Sequence, residues 1–230
     1  MNRTVRHERR GEARLPAVAI TLVAVVLYAF LPGSLLVGPR YVLPVLELAL
    51  LVPLIAVNPL RLTRETRWSR DTSIGLAGLI ALANTWVLVS LVSKLVEGRA
   101  SNGNALLLAA GQVWLTNVIA FGLLYWQLDR GGPVARTQER RDDLPAADFR
   151  FSQDENDDAI VEVARTSSGK SDWVPTLVDY VYVSVTNSTA FSPTDTMPLS
   201  PRAKLLMMLE SVSALVLSVV VIAHGVGSLK

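Results

Sequence analysis

The grouping of the apolar residues limits what this chain can fold into more than any other feature. Residues 16–37, 41–58, 72–96, 105–128 and 203–224 are almost free of charge, and the charged residues crowd between them. Each block is close to the ~20 residues a helix needs to cross about 30 Å of hydrocarbon. A mean hydropathy of +0.37, with half of the 230 residues hydrophobic, is too apolar for a soluble domain of this length. The expected fold class is therefore an all-α integral membrane protein, a bundle of five transmembrane helices. A sixth apolar stretch, 175–191, is shorter and carries Asp179, Ser184, Thr186, Asn187, Ser188 and Thr189. As a straight helix it rises only about 25 Å. It is either a short span buried in the bundle or a re-entrant segment.

Arginine placement sets the expected orientation. Residues 1–15 form a basic leader with Arg3, Arg6, Arg9, Arg10 and Arg14, and the loop after the second block holds Arg61, Arg64, Arg67 and Arg70. The first loop holds only Arg40. The positive-inside rule puts the N-terminus in the cytoplasm. The leader reads as this topology signal, so no nucleic-acid partner is expected. Four spans, 16–128, return the chain to the cytoplasm, where Arg130, Arg136, Arg140 and Arg141 agree. Tyr125-Trp126 ends the fourth block and suits a headgroup belt. Residues 129–172 are polar and acidic, and read as a largely flexible cytoplasmic loop. Phe149, Phe151 and Trp173 are expected to pin the ends of that loop to the membrane surface. Residues 173–230 form the last unit: the short polar segment, a Pro-rich turn and the final helix. If 175–191 spans, the turn is outside and Lys230 is cytoplasmic. If it re-enters, the chain has five spans and Lys230 is outside.

Polar side chains inside apolar blocks are the candidate functional residues, because lipid offers them no partners. On a helical projection Tyr180, Ser184, Asn187 and Ser188 share one face of 175–191, opposite Val178, Val181, Tyr182 and Val185. The first face should meet protein or water, and the valines should pack against apolar neighbours. Thr186 belongs to the same polar segment, and Asp195 lies in the turn that follows. Glu47 and Glu210 are carboxylates within blocks. In the six-span arrangement each lies about 9–10 Å below the outer surface, at one depth. Asn84 and Asn117 each lie near the middle of a block. These eight residues are candidates for a pore or for a polar bundle core. Interhelical hydrogen bonds, worth about 1 kcal/mol or less each, explain them equally well.

The stretch 179–198, DYVYVSVTNSTAFSPTDTMP, resembles the C-terminal signature of an uncharacterised, mostly actinobacterial family of multi-pass membrane proteins. Leu128-Asp129-Arg130-Gly131-Gly132-Pro133 is similar to the same family. The resemblance covers about a third of the chain and implies a bacterial cytoplasmic membrane, with no activity attached. The same stretch distantly resembles the pore loop and inner helix of two-helix potassium channels, through Tyr182, Ser184, Thr186, Thr189, Asp195, Pro198 and Arg202. A potassium filter needs glycines for its inward-facing carbonyls. This chain has none between Lys170 and His224, and Pro193 stands in that position.

The chain has no cysteine, so thiolate chemistry and disulfides are excluded. It also lacks nucleotide-binding, zinc-protease and nucleophile-elbow motifs. No enzymatic activity and no cofactor are expected. The acidic run 154–158 lacks the glycine and glutamate spacing of a calcium loop. The expected partners are the lipid bilayer, a second copy of the chain in a homo-oligomer, and an unspecified ion or small solute. The expected role is a non-enzymatic scaffold or partner-binding component. The alternative is a channel-like pore or small-solute transporter built on the polar face of 175–191.

Overall fold

The computed structural model describes residues 10–97, 103–190 and 195–227. Arg3, Arg6, Arg9 and residues 191–194 of the signature lie outside them. The chain is mostly helical. In order come β1 (Glu12–Ala13), α1 (Leu15–Ala29), α2 (Val42–Val57), β2 (Arg61–Leu62), α3 (Arg67–Val96), α4 (Gly103–Leu128) and α5 (Pro133–Gln138). Then follow β3 (Phe149–Arg150), α6 (Val161–Ala164), α7 (Ser168–Ser171), α8 (Leu177–Ala190), β4 (Met197–Pro198) and α9 (Pro201–Gly227). The strands form two short antiparallel pairs, β1 with β2 and β3 with β4.

Three helices are long and apolar enough to cross a membrane: Arg67–Val96, Leu107–Gly131 and Pro201–Ala223. The sequence reading gave five. The first two apolar blocks fold into shorter helices of 15 and 16 residues, about 22–24 Å long at 1.5 Å per residue. Pro32-Gly33 is the cause in the first block. The helix stops at Ala29, and the chain continues through a 3-10 turn at Gly33–Leu35. Cations cover the backbone left open there. Arg40 Nη1 donates to the carbonyls of Ala29 and Leu31, and Lys94 Nζ donates to that of Ser34. The third block starts earlier than its apolar pattern, because Thr66 and Ser69 form a capping box.

α4 is the central helix. Two-thirds of its apolar window is buried (67%), against 22% for α9. α9 therefore presents most of its surface outward, including Leu205, Leu209, Val212 and Val219. One end of the bundle gathers β1, β2, the start of α3 and the end of α4. The opposite end gathers residues 31–41 and the end of α3, packed with Ala109, Val113 and Leu217.

α8 runs antiparallel to α4 and lies in contact with it. Gly122 makes this possible, since a Cβ there would meet the Val181 Cα at 3.2 Å. Leu177, the first residue of α8, donates its N–H to Glu12 at the α4 C-terminal end. The next described strand, β4, pairs with β3 at that same end, and Arg202 Nη2 then donates to the Leu128 carbonyl (3.0 Å). The chain thus enters and leaves the α8 excursion at one end, and α9 runs parallel to α8 toward the other. Glu47 and Glu210 lie on helices that start at opposite ends of the bundle, so their depths do not count from one surface.

Residues 129–172, read from composition as largely flexible, fold into short helices and turns strapped across the end of the bundle. Phe149 and Phe151 are buried and meet Tyr125 and Tyr180 edge-on, and the half-buried Trp173 meets Phe151 edge-on, with ring centroids 5.1–6.2 Å apart. Tyr125-Trp126, expected in a headgroup belt, is also in the core, 0% and 3% exposed.

Candidate functional site: a buried carboxylate that fastens α8

Glu210 is fully buried on α9. Four side chains converge on its carboxylate. Tyr125 Oη of α4 donates at 2.6 Å, Asn187 Nδ2 of α8 at 2.7 Å and Ser188 Oγ at 3.1 Å. Ser184 Oγ also lies against it, and is 2.9 Å from the Val118 carbonyl. The spacing explains the convergence. Ser184, Asn187 and Ser188 are three and four residues apart, so they stack on one helical face. That face points at α9. Asn187 also reaches the Met207 carbonyl (3.0 Å) and accepts from Ser211 Oγ (2.9 Å). Its donors and its acceptor are therefore all used within protein.

The opposite face of α8 differs from expectation. Val178 is 71% exposed and faces outward, as does Tyr182. Val181, over Gly122, and Val185 are half-buried. Thr186 sits between the faces and returns its hydroxyl to the Tyr182 and Val183 carbonyls of its own helix. Asp195 is exposed in the connection to β4. Of the eight candidates, Asn187, Ser188 and Glu210 meet at one point. Thr186 and Asp195 do not join them.

The other three candidates form a second locus. Asn84 Nδ2 donates to Asn117 Oδ1 (3.3 Å) across α3 and α4. Asn84 also borders a cavity of about 10 Å³ with Glu47, Tyr28 and Thr116. Glu47 is 2% exposed, and its Oε2 has no hydrogen-bond partner, nor has Asn117 Nδ2.

A polar cap above α8 was missed by the sequence reading. Asp129 accepts from the backbone N–H of Asp148 (2.6 Å) and Phe149 (3.3 Å) and from the Tyr180 hydroxyl. Arg136, 0% exposed, donates to the Trp126 (2.8 Å) and Asp129 (2.7 Å) carbonyls. It thereby caps the negative C-terminal end of α4, and its guanidinium carbon lies 4.9 Å from the centre of the Tyr180 ring. Asp148 in turn holds Ser200 and Arg202 at the head of α9. The sequence signal was the turn itself. Arg130, Gly131 and Gly132 all take positive φ (50°, 81° and 97°), which the Gly-Gly pair makes possible. Glu12 belongs to this cap, accepting from Leu177 N–H (2.7 Å) and Trp126 Nε1 (2.9 Å). Burial raises its pKa above the ordinary value, although both bonds and Arg136 pull it down.

Among the described residues, no group of three or more His, Cys, Asp or Glu is placed to hold a metal ion. No family model, curated protein or solved structure matches the chain.

Proposed function

We propose that this protein is a non-enzymatic, multi-pass component of a bacterial cytoplasmic membrane, acting as a scaffold or partner-binding subunit. α1 to α4 and α9 make five crossings, and α8 is a re-entrant helix entered from the cytoplasm. The arginine distribution orients the N-terminus and the cap inward. With five crossings the C-terminus lies outside. The observation that carries the reading is the saturation of Glu210. A carboxylate held by Tyr125, Ser184, Asn187 and Ser188 works as a fastener between α4, α8 and α9. A transport carboxylate needs room to exchange its partner for an ion or a solute. The test is a flux assay in proteoliposomes for potassium, sodium, protons, chloride and glycerol, with Glu210→Gln as control. The proposal expects no flux above empty vesicles, and Glu210-dependent flux refutes it.

One observation favours a second reading, a channel-like pore in a homo-oligomer. A half-helix that returns to its own side and is followed by a long outward-facing helix is the order of a pore-loop unit. The distant potassium-channel resemblance of 179–198 rests on the same order. The cavities beside Asn84 measure about 10 Å³ or less, so a path would run between copies rather than through one. Under this reading the same assay gives flux only from oligomeric fractions.

A further inference from the structure

A cavity of about 50 Å³ lies among α1, α2, α3 and α4 at the cap end of the bundle, away from Glu210. Its lining is graded. Arg14, Ser73 and Gln127 sit at the level of the helix ends, and Ala17, Leu51, Ala77 and Leu123 lie further into the bundle. Arg14 is the unusual member. It is 7% exposed, its Nε has no hydrogen-bond partner, and it makes no ion pair with a described residue. The nearby acid Glu12 accepts from Trp126 and Leu177 and makes no contact with Arg14. Ser73 and Thr21 spend their hydroxyl protons on the carbonyls of Ser69 and Ala17, both at 2.8 Å. A buried guanidinium N–H that finds no acceptor among the described residues is costly, since its lost hydration is not replaced.

From this cavity we infer a binding site for an aliphatic carboxylate, whose charge pairs with Arg14 and whose first carbons fill the slot between Leu51, Ala77 and Leu123. Size and polarity narrow the class. At roughly 10–15 Å³ per water-sized group, the space takes about four such groups, the three heavy atoms of a carboxylate and a first methylene, from which a chain continues between the helices. Inorganic phosphate fits the charge but leaves the apolar wall unfilled. A neutral ligand of the same shape leaves Arg14 unpaired. The carboxylate has two sources: a short soluble acid, or a membrane fatty acid whose tail leaves between helices.

The test is a thermal-unfolding titration of the full chain in neutral detergent. The probes are sodium butyrate, palmitate and inorganic phosphate at matched ionic strength. Butyrate or palmitate should raise the unfolding temperature with saturation. Butyrate identifies a soluble acid, and palmitate alone a membrane one. Arg14→Gln should weaken the response about tenfold or more, the cost of one charge-assisted bond. Ala77→Leu, which keeps Arg14 and fills the slot, should abolish it. Carboxylate-labelled butyrate observed by NMR in the same micelles gives a readout independent of stability. The inference is overturned by no saturable response to either acid, by an equal response in Ala77→Leu, or by phosphate acting as strongly as butyrate.

Discussion

Replacing Glu210 by Leu tests the fastener in quantitative terms. The substitution keeps the volume nearly constant and removes the only acceptor shared by four donors. One of those donors has another partner in place: Ser184 keeps the Val118 carbonyl at 2.9 Å. Asn187 keeps the Met207 carbonyl at 3.0 Å for one amide N–H and loses the partner of the other. Tyr125 and Ser188 keep no partner among the described residues. Each orphaned buried donor costs about 1–3 kcal/mol, which gives about 3–9 kcal/mol for the three. Bonds within a membrane fall at the low end of such ranges, because the unfolded chain in the bilayer also finds partners. The expected loss is therefore about 3 kcal/mol. Glu210→Gln retains one acceptor oxygen and should lose about 1 kcal/mol. Reversible unfolding by SDS in mixed micelles measures both. A Glu210→Leu protein as stable as the parent refutes the reasoning, and so does a Gln variant weaker than the Leu variant.

Other substitutions probe the surroundings of α8. Gly122→Leu puts a side chain where even a Cβ meets Val181 at 3.2 Å, and should destabilise by about 1–3 kcal/mol in the same unfolding assay. Asn187→Leu should cost about 1 kcal/mol, since it only bridges helices; a neutral result would remove it from the fastener. For Glu12, burial holds the folded pKa above the ordinary 4.5. The folded chain therefore binds that proton more tightly than the unfolded one. The resulting stabilisation is complete below the ordinary pKa and is lost as pH rises through the folded one. Glu12→Gln should flatten this decline in unfolding measured at stepped pH, and an equally steep decline in the variant contradicts it.

The sequence was readable where a residue's own neighbours decide its place. The apolar blocks gave helices, and the 3.6-residue spacing of Ser184, Asn187 and Ser188 foretold a shared buried face. Glu210 was visible as an intramembrane carboxylate, but its meeting with that face depended on the direction of α9. That direction follows from the Asp148–Arg202 contact, which joins residues far apart in the chain. Composition misled for 129–172. Its many charges include Asp129 and Arg136, buried and paired with backbone, and Asp148, buried against Ser200 and Arg202, and such pairing leaves no periodic trace. Tyr125-Trp126 misled for a similar reason. A polar tip suits a headgroup belt, but here each tip bonds a carboxylate, Glu210 or Glu12. Glu47 and Asn117 have no account beyond their placement: each keeps a buried atom unpartnered.

The direction of the chain after α8 decides between five crossings and six. The absence of native cysteine makes single-cysteine labelling in intact cells the direct measurement. Three exposed positions suffice: Val96 at the end of α3, Gln138 at the end of α5 and Met197 in β4. Each is replaced singly by cysteine and challenged with a membrane-impermeant maleimide. The account predicts that Val96→Cys reacts from outside, while Gln138→Cys and Met197→Cys both react only after the cells are opened. Met197→Cys reacting from outside together with Val96→Cys would mean that residues 175–191 cross the membrane, and would contradict the re-entrant helix and the fastener built on it.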